Sequence, residues 1–150
     1  MPALFYHLTH SPLEDVVTTL STRALGQGWR IELRGRDAGR MAWLDERLWL
    51  GGDESFLPHG LAGGPHDALQ PVLLTTSPCA PGRQAVMAID GAAVTAAEIA
   101  THDRVWILFD GNDPQAVEHA RGQWRELTGA GAKAQYWSEE SGRWEKKAEK

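Results

Sequence analysis

Three residues with side chains that bind metal ions lie close together in the sequence: His59, His66 and Asp67. Imidazole nitrogens and carboxylate oxygens are ordinary ligands of zinc. Their spacing matches no metal-binding motif such as HExxH, which places two histidines on one face of a helix. His7 and His10 are three residues apart, but no third ligand is near them in the sequence. We therefore expect histidines that form local hydrogen bonds, and neither a metal ion nor another cofactor.

Patterns for a nucleophile or a phosphate-binding loop are equally incomplete. Cys79 lies between two prolines with no basic partner nearby in the sequence, which is typical of an unreactive thiol. Ser55 precedes His59 by four residues, but the surrounding residues do not form a nucleophile elbow. Gly26-Gln27-Gly28 begins like a dinucleotide fingerprint, yet it precedes a predicted strand and lacks the third glycine. No Walker loop is present, so the sequence predicts no catalytic site.

Arginine and tryptophan recur at helical spacing in the C-terminal third of the chain. Arg121 and Arg125 are four residues apart and therefore lie on one helix face, with Trp124 beside them. Guanidinium groups bind carboxylates through a planar fork, and an aromatic wall suits an apolar side chain. The pattern fits an acidic peptide that ends in an apolar residue and a carboxylate. On helical spacing alone, however, the simpler alternative of a solvated basic face with Trp124 buried is favoured.

A second candidate surface is the segment from Leu44 to Gly63, in which aromatic and apolar residues occur among acids and glycines. Trp49 is equally compatible with the core and with the surface. Phe56 and Leu57 lie in a polar, glycine-containing stretch, where exposed apolar side chains tend to mark contact sites. The segment therefore predicts a partly apolar surface that contacts another protein.

Composition limits the class of protein. The 150 residues suggest one domain, 1–150, and the 42% that are apolar suffice for a buried core. A net charge of -5 argues against a chain that grips a nucleic-acid backbone over its whole surface. A single cysteine, the absence of a signal peptide and the lack of about 20 consecutive apolar residues indicate a soluble cytoplasmic protein. The adjacent acids Glu139 and Glu140 indicate a solvated face.

Hydrophobic periodicity predicts the elements that position these residues. The pattern predicts strands at residues 3–8, 29–33, 71–76, 85–89, 104–109 and 132–137. It predicts helices at residues 13–25, 38–49, 96–100 and 115–128. Residues 50–70 are predicted as a long loop and residues 143–150 as a charged tail. Strands that alternate with helices imply a three-layer, Rossmann-like α/β fold with a mostly parallel sheet, here without a phosphate-binding loop.

Several strings of the chain resemble the chi subunit of bacterial DNA polymerase III. The specific strings are LDERLW at 44–49 and ESFLPHGLAG at 54–63. Weaker support comes from Phe5-Tyr6, from residues 105–109 with the helix that follows, and from GRWEKK at 142–147. The resemblance spans nearly the whole chain. It implies a single chi-like domain that catalyses no reaction itself and belongs to the replicative DNA polymerase holoenzyme.

The resemblance implies a partner for the central segment. In the chi family, the region that matches Trp49, Phe56, Leu57 and Pro58 contacts psi, the subunit that joins chi to the clamp loader. His59 would shape the loop. The family is also linked to an accessory DNA helicase that uses the same surface, and the sequence does not decide between these partners.

The resemblance also implies a partner for the basic helix. Arg121, Trp124 and Arg125 match, in register, the family's site for the acidic, Phe-terminated tail of the single-stranded-DNA-binding protein. Nucleic acid would then be contacted only indirectly. Val117 departs from the family by replacing a basic residue that is common one turn earlier. Arg143, Lys146 and Lys147, in the predicted tail 143–150, are candidates to compensate for it, and a solvated charged tail is the alternative.

Two alternatives of other classes remain open at the level of sequence. A small α/β enzyme or nucleotide-binding protein would have its site at the carboxyl ends of the strands, where such sheets often bind ligands. A direct DNA binder is the second alternative, and the acidic net charge counts against it.

Overall fold

One eight-stranded sheet organises the computed structural model, which describes residues 2–50, 57–77 and 82–150. The strand order is β3-β4-β2-β5-β6-β1-β7-β8, and every pairing is parallel except that of β7 with β8. The strands are β1 Ala3–Leu8, β2 Ile31–Arg34, β3 His59–Leu61, β4 Val72–Thr75, β5 Ala85–Ala88, β6 Arg104–Asp110, β7 Ala134–Ser138 and β8 Glu145–Glu149.

Helices connect many of the strands, and three of them begin at a capping side chain. The helices are α1 Leu13–Gly26, α2 Ala38–Trp49, α3 Ala96–Thr101 and α4 Pro114–Gly129. Asp37 accepts a hydrogen bond from the Arg40 backbone N–H at 2.7 Å, and Asp113 accepts one from Gln115 at 2.9 Å. Thr95 caps α3 in a capping box. Such caps satisfy backbone donors that have no partner within the helix.

Alternating side chains of the strands build two separate cores, one on each face of the sheet. In β1, Leu4 and Leu8 join a cluster with residues of α1 and α2, whereas Phe5 joins a cluster with residues of α3 and α4. The sheet is therefore the middle of three layers. This arrangement confirms the predicted α/β class and its mostly parallel sheet.

A buried network of ion pairs connects β2 to α3. Glu32 and Arg34 are 1% and 3% exposed, and the Arg34 Nε donates to Glu32 Oε2 at 2.6 Å. The same guanidinium donates to both carboxylate oxygens of Glu98 and to the carbonyl of Ala93. These hydrogen bonds from Arg34 hold the pKa of Glu98 below its ordinary value. Two charges of β2 are thereby satisfied inside the domain.

The predicted long loop is wrong in part. Residues 59–61 form β3, which pairs with β4, and residues 67–69 form a single 3-10 turn. A strand of three residues is too short to produce a recognisable alternation. It is defined by its pairing with the apolar strand β4, and that pairing is a tertiary property.

The predicted charged tail is also wrong, because residues 145–149 form β8, which is antiparallel to β7. Its side chains are charged and mostly exposed. Charged residues are common on edge strands, where they discourage pairing with other chains. The composition therefore resembled that of a tail although the backbone forms hydrogen bonds to β7.

Candidate functional site

The basic face of α4 borders an open pocket of about 560 Å³, here called the α4 pocket. Arg121 and Arg125 are exposed, and Trp124 between them is half-buried. The indole of Trp124 packs edge-on against Phe5 at 5.3 Å and against Tyr136 at 6.1 Å between ring centroids. The residues that line the pocket are His7, Arg121, Trp124, Arg125, Tyr136, Ser138, Glu140, Lys147 and Ala148.

Cations outnumber acids around the α4 pocket. Arg121, Arg125 and Lys147 line it, against the single carboxylate of Glu140. Glu140 lies 3.2 Å from the Nδ1 of His7. Burial raises the pKa of the Tyr136 hydroxyl, so that the ring adds no charge near neutral pH. The lining itself thus combines aromatic walls with three cations and one carboxylate, which suits a ligand that is both apolar and anionic.

Arg125 is held only loosely by its own chain. Its Nη2 lies 3.5 Å from the carboxylate of Glu118, and both side chains are 67% exposed. Exposed ion pairs of this kind contribute little free energy because water screens them. Arg125 can therefore exchange Glu118 for a carboxylate of a ligand at low cost.

The sequence correctly predicted that Arg121 and Arg125 share one face of α4 beside Trp124. The alternative, a solvated basic face with Trp124 buried, is met in part: Arg121 and Arg125 are exposed, whereas Trp124 is half-buried, packs against the core cluster and also lines the pocket. Val117 is half-buried and packs against the core cluster that contains Phe5. The sequence pattern missed His7 and Tyr136, because no local spacing relates β1 and β7 to α4, whereas Lys147, one of the tail residues named as candidates, does line the pocket.

Trp49, at the end of α2, forms a second surface together with Pro58 and His59, here called the Trp49 surface. Trp49 is 49% exposed, and its indole stacks on the His59 ring at 4.1 Å between centroids. His59 is buried, and its Nε2 lies 3.0 Å from the carbonyl oxygen of Asp45. The other ring nitrogen hydrogen-bonds to the carbonyl of Leu57. A fixed imidazole thus supports an exposed indole.

Two predictions for this segment end differently. Leu57 is 1% exposed and belongs to the same buried cluster as Leu44 and Leu48, so the prediction of an exposed side chain is wrong. The strand pairing at His59 draws the chain onto the sheet and places Leu57 in the core. Pro58 is half-buried. Phe56 lies outside the described residues, and so does Cys79.

The side chain of Glu139, which directly follows β7, reaches the β1–α1 loop, where many folds of this architecture bind a phosphate group. Its Oε2 accepts hydrogen bonds from the backbone N–H groups of Thr9, His10 and Ser11 at 3.1, 3.1 and 2.9 Å. Its Oε1 accepts one from the Ser11 hydroxyl at 2.7 Å. Burial alone would raise the pKa of Glu139, but these bonds from Ser11, His10 and Thr9 hold it below its ordinary value.

The prediction that Glu139 lies on a solvated face is therefore wrong, because the residue is 4% exposed. Its partners are about 130 residues away in the chain, so no local pattern could identify them. Glu140, the adjacent acid, is exposed as expected. The donors of the loop are satisfied by the chain itself, and they are not free to bind a phosphate.

Two of the three candidate metal residues, His59 and Asp67, form hydrogen bonds within the part of the chain that is described. Asp67 accepts hydrogen bonds from the backbone N–H groups of Gly63 and Gly64 at 2.9 and 3.0 Å. His66 is exposed, whereas His59 is buried beneath Trp49. Within the described ranges, no group of three His, Cys, Asp or Glu residues could hold a metal ion. None of the described helices is long and apolar enough to cross a membrane.

A comparison with protein families matches residues 1–135 to the family described as DNA polymerase III chi subunit, HolC. The match includes α4 and the Trp49 surface and ends within β7, so β8 lies beyond it. A search of curated proteins found no match.

Proposed function

We propose that this chain, which belongs to the family of the DNA polymerase III chi subunit, is a cytoplasmic adaptor without catalytic activity. Membership makes it an accessory subunit of DNA polymerase III. In the proposed role, it connects the clamp loader, through a psi-like subunit, to the acidic C-terminal tail of the single-stranded-DNA-binding protein. Two binding surfaces on one rigid domain would suffice for this task.

The α4 pocket is the observation that carries the proposal for tail binding. Trp124 and Tyr136 provide apolar walls for a terminal Phe ring, while Arg121 and Arg125 provide donors for its carboxylate and for the acids before it. Arginine forms paired, charge-assisted hydrogen bonds to carboxylates. Electrostatic capture of this kind predicts an affinity that falls with ionic strength. Several tails on DNA coated by the binding protein would reinforce weak single contacts.

The Trp49 surface supports the proposal for a psi-like partner. An indole that is half exposed and held by a buried histidine is a preorganised aromatic anchor, and Trp is enriched among the energetically dominant residues of interfaces. Trp49 and Pro58 would contact the partner directly, and His59 would position the indole. Leu57, which lies in the core, would support this surface without contacting the partner. An accessory DNA helicase is the other partner proposed for this surface.

Calorimetric titration with a short acidic peptide that ends in Pro-Phe tests the tail site. We expect micromolar binding at low salt that weakens at moderate salt. The double variant Arg121→Ala, Arg125→Ala should bind at least about tenfold more weakly, because one lost charge-assisted hydrogen bond is worth about 1.5 kcal/mol. A peptide with an amidated C-terminus should also bind more weakly, because it lacks the terminal carboxylate.

A matched control removes two arginines from the other face of the sheet. Arg23 of α1 and Arg47 of α2 are exposed there, and the variant Arg23→Ala, Arg47→Ala has the same net charge as the test variant. We expect it to bind the peptide like the wild type. Equal weakening in both variants would mean that only long-range charge matters. No binding by the wild type at low salt would contradict the tail site.

The alternative of a nucleotide-binding protein finds no support in the β1–α1 loop, since Glu139 occupies its donors. The alternative of a direct DNA binder predicts affinity for naked single-stranded DNA. The adaptor predicts affinity for the coated strand only.

A further inference from the structure

We propose that β8 forms a second basic wall of the α4 pocket and that Lys147 on this strand binds the acidic tail together with the arginines of α4. This inference rests on the proposed function of the pocket. The pocket lies between two elements that are distant in sequence, with Arg121 and Arg125 on α4 and Lys147 on β8. The ring of Tyr136 on β7 lies in the same lining. A bound tail would therefore meet cations from two elements of the fold.

A β-bulge turns Lys147 toward the pocket. Successive side chains of a regular strand point to opposite faces of a sheet, yet Lys147 and its neighbour Ala148 both line the α4 pocket. The pairing explains this exception. Tyr136 is opposite Ala148 and Trp137 is opposite Lys146, so Lys147 is left without a counterpart at the register shift. Bulges commonly redirect a side chain in this way.

Lys147 is available to a ligand. Its Nζ lies 3.2 Å from Glu145 Oε2, but the two side chains are 45% and 35% exposed, and such pairs contribute little free energy. Exchange of Glu145 for a carboxylate of the tail therefore costs little. The neighbouring Lys146 has a similar exposure, 43%, and a similar ion pair with Glu149 at 3.2 Å, but it does not line the pocket. The two lysines differ mainly in the face to which they point.

Lys147 adds a cation that α4 does not supply one turn before Arg121. Val117, at that position, is half-buried against the core and presents no charge to the pocket. Lys147 lies on β8, beyond the residues 1–135 that match the family.

Titration of Lys147→Gln and Lys146→Gln with the same acidic peptide tests the inference. Both variants lose one charge from an exposed position of the same strand, so both should fold and carry the same net charge. We expect Lys147→Gln to bind about three- to tenfold more weakly and to show a smaller dependence on salt, because one ion pair with the ligand is missing. Lys146→Gln should bind within about twofold of the wild type.

The outcomes separate this inference from the proposed function. If the wild type binds and Arg121→Ala, Arg125→Ala does not, but the two lysine variants are alike, then tail binding stands and the second wall is refuted. If the wild type does not bind the peptide, both proposals fail together. A further variant, Lys147→Glu, should weaken binding more than Lys147→Gln, and equal binding by these two variants would also refute the second wall.

Discussion

Replacement of Glu139 by alanine would remove the acceptor of four hydrogen bonds that join the β7 end of the sheet to the β1–α1 loop. A hydrogen bond to a charged group contributes about 1.5–3 kcal/mol. The four bonds share one carboxylate, and water can reach the partly buried donors once the side chain is gone. We therefore expect the free energy of unfolding to fall by about 2–4 kcal/mol, which is less than the sum of the four.

Glu139→Gln separates the charge from the shape. The amide oxygen can still accept from the N–H groups of Thr9, His10 and Ser11. The amide NH2 can donate to the Ser11 hydroxyl, which is able to accept as well as donate. Only the strength of charge-assisted bonds is lost, and we expect destabilisation of about 1 kcal/mol. Ser11→Ala removes one donor alone and should cost a similar amount.

The contribution of Glu139 to the free energy of unfolding should depend on pH in a definite direction. Because hydrogen bonds depress the pKa of Glu139 in the folded protein, the unfolded chain takes up the proton more readily. The stabilisation is complete above the ordinary glutamate pKa of about 4.3 and is lost as the pH falls through the lower pKa of the folded state. The free-energy difference between wild type and Glu139→Gln should therefore shrink in acid, where the protonated carboxyl resembles the amide.

Urea unfolding of the wild type, Glu139→Ala and Glu139→Gln at neutral and acidic pH measures these quantities. Two results would refute the reasoning. One is a stability of Glu139→Ala within about 0.5 kcal/mol of the wild type at neutral pH, the range typical of surface substitutions. The other is a difference between wild type and Glu139→Gln that is unchanged in acid.

Three further predictions concern the core and the Trp49 surface. Arg34→Met removes the guanidinium that donates to the buried Glu32 and to Glu98, so we expect a loss of about 3–5 kcal/mol in urea unfolding, and a loss below 1 kcal/mol would contradict the network. Leu57→Ala should lower the free energy of unfolding by about 2–5 kcal/mol because it opens a cavity. Trp49→Ala should lower the free energy of unfolding by about 1 kcal/mol or less, since half of the indole is exposed. The same variant should co-purify less well with a psi-like subunit. A larger loss of stability in Trp49→Ala than in Leu57→Ala would contradict the exposed position of Trp49.

The β1–α1 loop explains how a fold typical of nucleotide-binding proteins can serve a different role. The backbone donors of the loop before α1 are the groups that would face a phosphate in such folds. Here the carboxylate of Glu139, the residue directly after β7, satisfies them. The preceding residue, Ser138, ends β7, and its hydroxyl lies 3.1 Å from the Nδ1 of His7 at the edge of the α4 pocket. The buried carboxylate of Glu139 therefore contributes to the structure that supports the proposed tail site.

Elements with a long and regular pattern were predicted well. The predicted helix 38–49 is observed with the same bounds, and the predicted helix 115–128 is one residue longer at each end in the structure. An amphipathic helix records its face and its ends locally, through apolar spacing and capping residues. For the same reason, the shared face of Arg121 and Arg125 could be predicted from spacing alone.

The features that depend on residues far apart in the chain were decided by the tertiary structure. The sequence by itself determined the α/β class, the basic face of α4 and the resemblance to the chi family, because each of these is encoded in residues that are near neighbours in the chain. Only the folded chain made a strand of the charged segment 145–149, buried Leu57 and Glu139, and brought Lys147 to the α4 pocket. Strand pairing, burial and pocket walls join residues that are far apart in the chain, and their free energies depend on contacts that no local pattern specifies.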